Sequence, residues 1–485
     1  MHISSLPNDY GTGKLGKEAY AFVDFLEKAH QKCWQILPIS PTSYGDSPYQ
    51  SFSVHAGNPY FIDLEALEKE GYLKPAEYKD IVWGDDKGSV DYGKIYETIF
   101  KVLRTAHKRF RKKPEKAYSK FVVENKDWIY DYALFMSLKF ANKGKAWYEW
   151  DEPLKMYKPK AIKSARKEYA NDIDFWCFVQ YKYFQQWKKL KAYANEKGIE
   201  IIGDIPIYVA YDSVEVWSTP QYFSLDKEKK PVEVAGCPPD AFTADGQLWG
   251  NPLYNWEYIA RDKFRWWVER IKAASDTYDV VRIDHFRGFE SYYCIPYGAK
   301  NAKKGKWRKG PDMRLFKEVR KQLGDVKIIA EDLGFLTKHV VKMLNASGYP
   351  GMKVLEFGFD SDNTNGYLPH NFKTTNSICY TGTHDNETIL GWIKSCDEKT
   401  RSYCKDYLGV TKDEFVPWAM VRLCWSSVCD TAIAQMQDIL CLDDKARMNT
   451  PSTVGANWKW RLESFDKLDD TLAERLAKIT AVYGR

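Results

Sequence analysis

Four acid-bearing motifs stand at the ends of apolar runs in this chain: Gly203-Asp204-Ile205-Pro206, Arg282-Ile283-Asp284-His285, Ala330-Glu331-Asp332-Leu333-Gly334 and Gly382-Thr383-His384-Asp385-Asn386. One carboxylate in such a place serves equally well as a helix N-cap. Four gathered on one rim would repel one another and lose hydration, so a chemical task is the better reason for keeping them. Glycosidic cleavage is such a task. Its oxocarbenium-like transition state needs an acid for the leaving oxygen and a carboxylate at the anomeric carbon, about 5–5.5 Å apart in a retaining enzyme.

Strand alternation divides the roles. Arg282 and Asp284 are two residues apart and share a face. The guanidinium is expected to depress the Asp284 pKa and hold the carboxylate ionised, as a nucleophile requires. Glu331 has no basic neighbour in sequence, and partial burial would raise its pKa toward that of a general acid/base. Asp332 should face the other way and cap the following turn. His384 beside Asp385 offers a donor for a sugar hydroxyl.

These motifs need a frame that brings strand ends together. Ala19, Phe22, Val23 and Leu26 follow the i, i+3, i+4, i+7 rule, so residues 16–30 read as an amphipathic helix leading into an apolar strand at 33–39. Helix signals at 172–197, 257–274, 312–324 and 336–346 likewise precede apolar runs at 199–209, 279–286, 326–332 and 351–358. Two more runs follow, at 377–384 and 429–436. Seven strands, with Met1–Ser5 as a candidate eighth, fit a closed (β/α)8 TIM barrel of the α/β class, one catalytic unit over 1–485. A doubly wound sheet would want a Gly-rich phosphate turn, and none is present. The surplus length falls into insertions: a mostly helical subdomain at 60–195 between strands 2 and 3, a covering loop at 213–256, and a smaller insert at 295–311. Residues 437–485 leave no room for a C-terminal β-sandwich domain.

Composition removes other classes. The 72 basic side chains nearly balance 66 acidic ones, and the basic runs at 108–113 and 300–309 read as a solvated helix face and a loop, so nucleic acid is set aside. Ten cysteines without a C-x-x-C argue against structural zinc and a disulfide framework. With neither a secretory h-region nor an apolar run of about 18 residues, the expectation is a soluble cytoplasmic protein without membrane contact. Aromatic residues reach 15%, many in polar loops, which suits a ligand with flat apolar faces and hydroxyl edges such as a pyranose.

Taken with Ser47-Pro48-Tyr49-Gln50-Ser51, Gly246-Gln247-Leu248-Trp249-Gly250-Asn251-Pro252, Arg447-Met448-Asn449-Thr450-Pro451 and Asn457-Trp458-Lys459-Trp460-Arg461, the four acid motifs make the chain resemble the 4-α-glucanotransferases of glycoside hydrolase family 77, almost end to end. The resemblance implies Asp284 as nucleophile, Glu331 as acid/base and Asp385 as transition-state stabiliser. It implies Arg282 orienting Asp284, Asp204 and His384 completing the donor-sugar subsite with His285 also at the substrate, and Tyr49 stacking on the donor ring. The loop 236–254, with Asp240, Gln247, Trp249 and Asn251, would cover the cleft and line acceptor subsites. The family uses no cofactor and no catalytic metal, acts on malto-oligosaccharides, maltose and amylose- or glycogen-derived glucans, and occurs as monomer or homodimer. Two departures stand out. Relatives carry residues before the segment matching Met1–Pro7, so the first strand's edge is expected to close poorly. Ser452 also stands where the family has glycine, which would strain that turn if a positive φ is needed. The carboxylates themselves leave transfer to a glucan, hydrolysis by water and a non-catalytic glycan-binding barrel open.

Overall fold

The computed structural model describes residues 1–485 apart from Tyr44, Asp240–Thr243 and Phe335. In chain order its strands are β1 (Cys33–Gln35), β2 (Glu200–Pro206), β3 (Glu233–Cys237), β4 (Gln247–Pro252), β5 (Val280–Asp284), β6 (Ser291–Pro296), β7 (Lys306–Lys309), β8 (Ile328–Ala330), β9 (Gly351–Val354), β10 (Ser377–Tyr380) and β11 (Thr431–Ile433). Seven of these are the apolar runs of the sequence. They form two parallel arcs, β1-β2-β5-β8 and β9-β10-β11. The Ala330 N–H donates to the Pro350 carbonyl at 2.9 Å and carries one arc into the other. The fold is an α/β TIM barrel.

Alternation along the strands sorts the side chains. Ile202, Ile329, Met352, Val354, Ile378 and Tyr380 pack together inside the barrel. Ile201, Val281, Ile283 and Ile328 belong to the outer core beneath the helices. Gly203 lets the outer layer approach closely, because a Cβ there would lie 2.1 Å from the Tyr278 ring. Asp204, its neighbour, is thereby turned inward. The helix Lys17–Lys28 buries Ala19, Phe22, Val23, Phe25 and Leu26, and the helix Asp470–Val482, capped by the Asp469 side chain, packs on it.

Met1–Ser5 departs from the strand expected of it: Ile3–Ser5 is a 3-10 turn. The segment is tied to the barrel edge through side chains instead of a ladder. Trp34 Nε1–H donates to the Met1 carbonyl (2.7 Å), and the Leu37 N–H donates to His2 Nδ1 (3.2 Å).

Between β1 and β2 the chain is helical, with Tyr92–Phe110, Lys126–Ala141 and Ala170–Glu196 as its longest members. The insert at 213–256 opens with a short helix, Val214–Ser218. It also supplies β3 and β4, which join β6, the strand leading into 295–311, and β7 within it in an antiparallel sheet of order β4-β3-β6-β7. This sheet escapes a reading based on apolar runs because its outer strands are polar. All four residues of β7 are exposed. Lys306 and Arg308 hold it to Glu233 of β3 (3.1 and 2.6 Å), and Trp307 meets Tyr293 edge-on across the ladder at 5.2 Å.

Candidate active site

Register sets the acids side by side. Ile283 pairs with Ala330, so Asp284 and Glu331 each follow a matched residue at the ends of adjacent strands, while Asp204 pairs with Arg282 one strand over. The Glu331 N–H bonds the Ile283 carbonyl (3.1 Å), which continues the ladder one residue past β8. His285 then turns sharply, with φ 55° and ψ 45°, a left-handed conformation uncommon outside glycine. That turn aims the His285 N–H at Glu331 Oε2 (2.7 Å), while the Leu333 N–H reaches Oε1 (2.7 Å). Both oxygens of Glu331 are therefore fixed by main chain.

Arg282, only 3% exposed, lies between two carboxylates: Nη1 meets Asp204 Oδ2 at 2.5 Å and Nη2 meets Asp284 Oδ1 at 3.1 Å. The expected depression of Asp284 does not follow. Burial outweighs the guanidinium, Asp204 and Asp385 add repulsion, and the Asp284 pKa rises to about 6. Burial and the charge of Asp284 push Glu331 higher still, to about 8, against its two N–H donors. The two acids titrate as a coupled pair, and the guanidinium in direct contact with Asp284 favours the ionised form of that member.

Tyr49 donates to Asp204 Oδ2 (2.7 Å), and its ring stacks on His384 with centroids 5.0 Å apart. Trp458 closes the group at 5.8 Å from Tyr49 and 5.7 Å from His384. Asp204 Oδ1 and His285 Nε2 are buried without a protein partner. His285 meets Trp249 edge-on at 4.9 Å, and burial beside Arg287 lowers its pKa to about 3, so it is a neutral imidazole. Trp249 Nε1–H is held by Gln247 Oε1 (3.0 Å). Asn251 is buried: it donates to the Val209 carbonyl (2.8 Å) and accepts from Gln50 (3.0 Å), which ties the covering sheet to the loop of Tyr49. Asp240 lies outside the described residues.

Asp385 differs from the buried pair in being half exposed. Asn449 Nδ2 donates to its Oδ1 at 2.6 Å, His384 Nε2 stands 3.4 Å from the same oxygen, and Arg447 Nη2 donates to its carbonyl at 2.8 Å. The loop that brings Asn449 runs through Ser452 at φ 64°, so the backbone does adopt the left-handed conformation anticipated there. Asp332 points away from the cleft, but it accepts from the Met352 N–H (2.7 Å) on β9 and does not cap the following turn.

Residue-by-residue reading missed Asn449 and Arg447 as partners of Asp385, because polar residues in a loop of irregular period signal nothing about direction. It also missed Glu356, which continues the inward parity of Met352 and Val354 just past β9 and accepts from Asn386 Nδ2 at 2.8 Å. Among the described residues no three His, Cys, Asp or Glu side chains are grouped to hold a metal ion.

A TIM barrel with a coupled acid pair at adjacent strand ends, a buried arginine between acids and an aromatic rim is an enzyme of glycosidic bonds. The chain belongs to the 4-alpha-glucanotransferase family, glycoside hydrolase family 77, whose model matches residues 1–467, and its activity is that of a 4-α-glucanotransferase. It is 49% identical to the 4-alpha-glucanotransferase of Clostridium butyricum over 489 residues, covering 100% of both chains. It is 44% identical to that of Thermus thermophilus over 472 residues, covering 95% and 93%. Among solved structures, the amylomaltase from Streptococcus agalactiae in complex with acarbose superposes with a TM-score of 0.97 at 43% identity, covering 100% of this chain and 98% of that one.

Proposed function

We propose that the acid pair drives a retaining double displacement on α-1,4-glucans. The observation that carries the reading is the unequal hold on two neighbouring carboxyls: a guanidinium meets Asp284 at 3.1 Å, while Glu331 is held by two main-chain N–H groups. Asp284 Oδ attacks the anomeric carbon of the donor glucan. Glu331 gives its proton to the glycosidic oxygen, and the leaving chain departs with a new hydroxyl. Glu331, now ionised, takes the proton of an acceptor 4-hydroxyl, whose oxygen displaces Asp284 from the anomeric carbon. Configuration is inverted twice and so retained, and both acids return to their starting states.

Asp385 and His384 grip hydroxyls of the reacting glucose, and the unpartnered Asp204 Oδ1 accepts another. With Tyr49 stacked on His384, its part is to brace Asp204 and His384 in place. Gln247 and Trp249 line the acceptor side, where exclusion of water favours transfer over hydrolysis. Malto-oligosaccharides are the matching substrates, since acarbose is the ligand of the streptococcal amylomaltase. A cytoplasmic setting suits cysteines that form no disulfide among the described residues, and no helix among those residues is long and apolar enough to cross a membrane.

Incubation with maltotriose tests the reading. Transfer yields glucose together with chains longer than three units. Glucose and maltose alone would mean that water is the acceptor, and full activity in Asp284→Asn or Glu331→Gln would remove the assigned roles.

A further inference from the structure

Asp385 is the exposed member of the three acids, yet the segment that carries it is anchored to a buried one. Asn386, the next residue, is 7% exposed, and its Oδ1 accepts from both the Thr383 N–H (2.9 Å) and Thr383 Oγ1 (2.8 Å). A main-chain N–H can only donate, so the orientation of this amide is settled and Nδ2 must face Glu356 Oε1, 2.8 Å away. Thr383 in turn lies beneath the catalytic acid, with its Oγ1 3.4 Å from the Asp385 N–H. The path Glu356–Asn386–Thr383–Asp385 therefore passes through side-chain bonds to the main chain of the residue that grips sugar.

Glu356 is 8% exposed, and its second oxygen, Oε2, has no partner. That oxygen borders the bare Cα of Gly382, where an added Cβ would stand 3.5 Å from it and 2.8 Å from Gln435 Nε2. The charges facing Glu356 come from three elements: Asp438 in the helix Met436–Ile439, Glu387 after β10, and Arg447 after the turn Asp444–Ala446. Asp444 stands behind Glu387 and couples to it. Two acids against one arginine, inside the protein, disfavour a further negative charge. Burial first, and then Asp438 and Glu387, raise the Glu356 pKa well above the carboxylate range.

We propose that Glu356 is a positioning residue that acts as a neutral carboxylic acid, holding the Asn386 amide and through it the segment of Asp385. The inference rests on the assignment of Asp385 to the reacting sugar. Only Oε1 is engaged as an acceptor, so the amide of glutamine, with the same shape and no charge, can replace the acid. Aspartate, shorter by one methylene, keeps a carboxyl but loses the reach to Asn386.

The test compares Glu356→Gln, Glu356→Asp and Asn386→Ala with the unaltered chain in maltotriose turnover, with a thermal melt on each. Glu356→Gln is expected within about threefold of the original kcat, and Glu356→Asp about tenfold or more below it with KM nearly unchanged, the pattern of a displaced group that acts in the transition state. In the Asn386→Ala background, Glu356→Gln and Glu356→Asp should then be alike, because the link is already cut. A Glu356→Gln variant that falls as far as Glu356→Asp, or a Glu356→Asp loss that persists undiminished without Asn386, would overturn the proposal. Asp385→Asn measured alongside separates the two levels: if it retains full turnover, the assignment of Asp385 fails whatever Glu356 does.

Discussion

Two of the buried cations that meet carboxylates, Lys182 and Arg282, sit among acids that are driven in opposite directions. In the helical insert, Lys182, whose side chain is fully buried, binds Glu70 (2.8 Å) and Glu115. Glu115 also accepts from Tyr72 (2.9 Å), Tyr181 (2.5 Å) and Gln185 (3.1 Å). Burial alone would raise its pKa, but these donors outweigh it and bring the value to about 2. At the barrel mouth Arg282 faces Asp204 and Asp284 with Glu331 close by, and Asp284 and Glu331 rise to about 6 and about 8. The difference is donor supply. Glu115 is saturated with hydrogen bonds and stays ionised, whereas the mouth holds more carboxylates than one arginine can neutralise. The first arrangement stabilises; the second stores a proton where chemistry can use it.

Breaking each cluster should therefore have opposite signatures. Asp284→Asn is expected to lower maltotriose turnover by about 10⁴-fold, with a melting temperature equal to or above the original, because a repelled buried charge is removed. A lowered melting temperature would contradict the view that this cluster is unfavourable to folding. Lys182→Met should do the reverse: about 3–5 kcal/mol of stability lost in urea melts, with unchanged kcat per folded molecule.

The pH responses sharpen the contrast. The proposed mechanism needs Asp284 ionised and Glu331 protonated, so kcat/KM should climb as pH passes about 6 and fall as it passes about 8. Glu115 is depressed in the folded state. Its stabilisation is complete above the ordinary carboxylate range and is lost as pH drops toward about 2. Between pH 5 and 8, activity should therefore swing while the insert's contribution stays level; parallel curves would merge the two clusters into one. Asn449→Ala, which removes the donor to Asp385, is the mildest change, about tenfold in kcat with little effect on stability.

How much of this was legible in the sequence follows from period. Val281, Ile283, Ile328 and Ile329 announce buried parallel strands, and parity along them places Asp204, Arg282, Asp284 and Glu331 on one inner surface. Parity also reaches Glu356, whose motif Val354-Leu355-Glu356 has the form of Ile329-Ala330-Glu331. Other features are set by long-range pairing that no local pattern records. Lys306–Lys309 reads as a charged loop until β6 supplies its ladder partners. Met1–Ser5 has strand-like residues but makes a turn. The sign of the Asp284 shift escaped for the same reason: Arg282 is two residues away in sequence, while the burial that outweighs it, and the approach of Asp204 and Asp385, arise only in the fold.

The division of labour between the two acids can be tested by trapping. Glu331→Gln, given α-glucosyl fluoride, has a leaving group that needs no protonation but lacks the base for the second step. Intact mass should show one added glucosyl unit, and peptide mapping should place it on Asp284. A glucosyl unit on any other residue, or rapid fluoride release without an adduct, would contradict the assignment of Asp284 as nucleophile and Glu331 as the proton's holder.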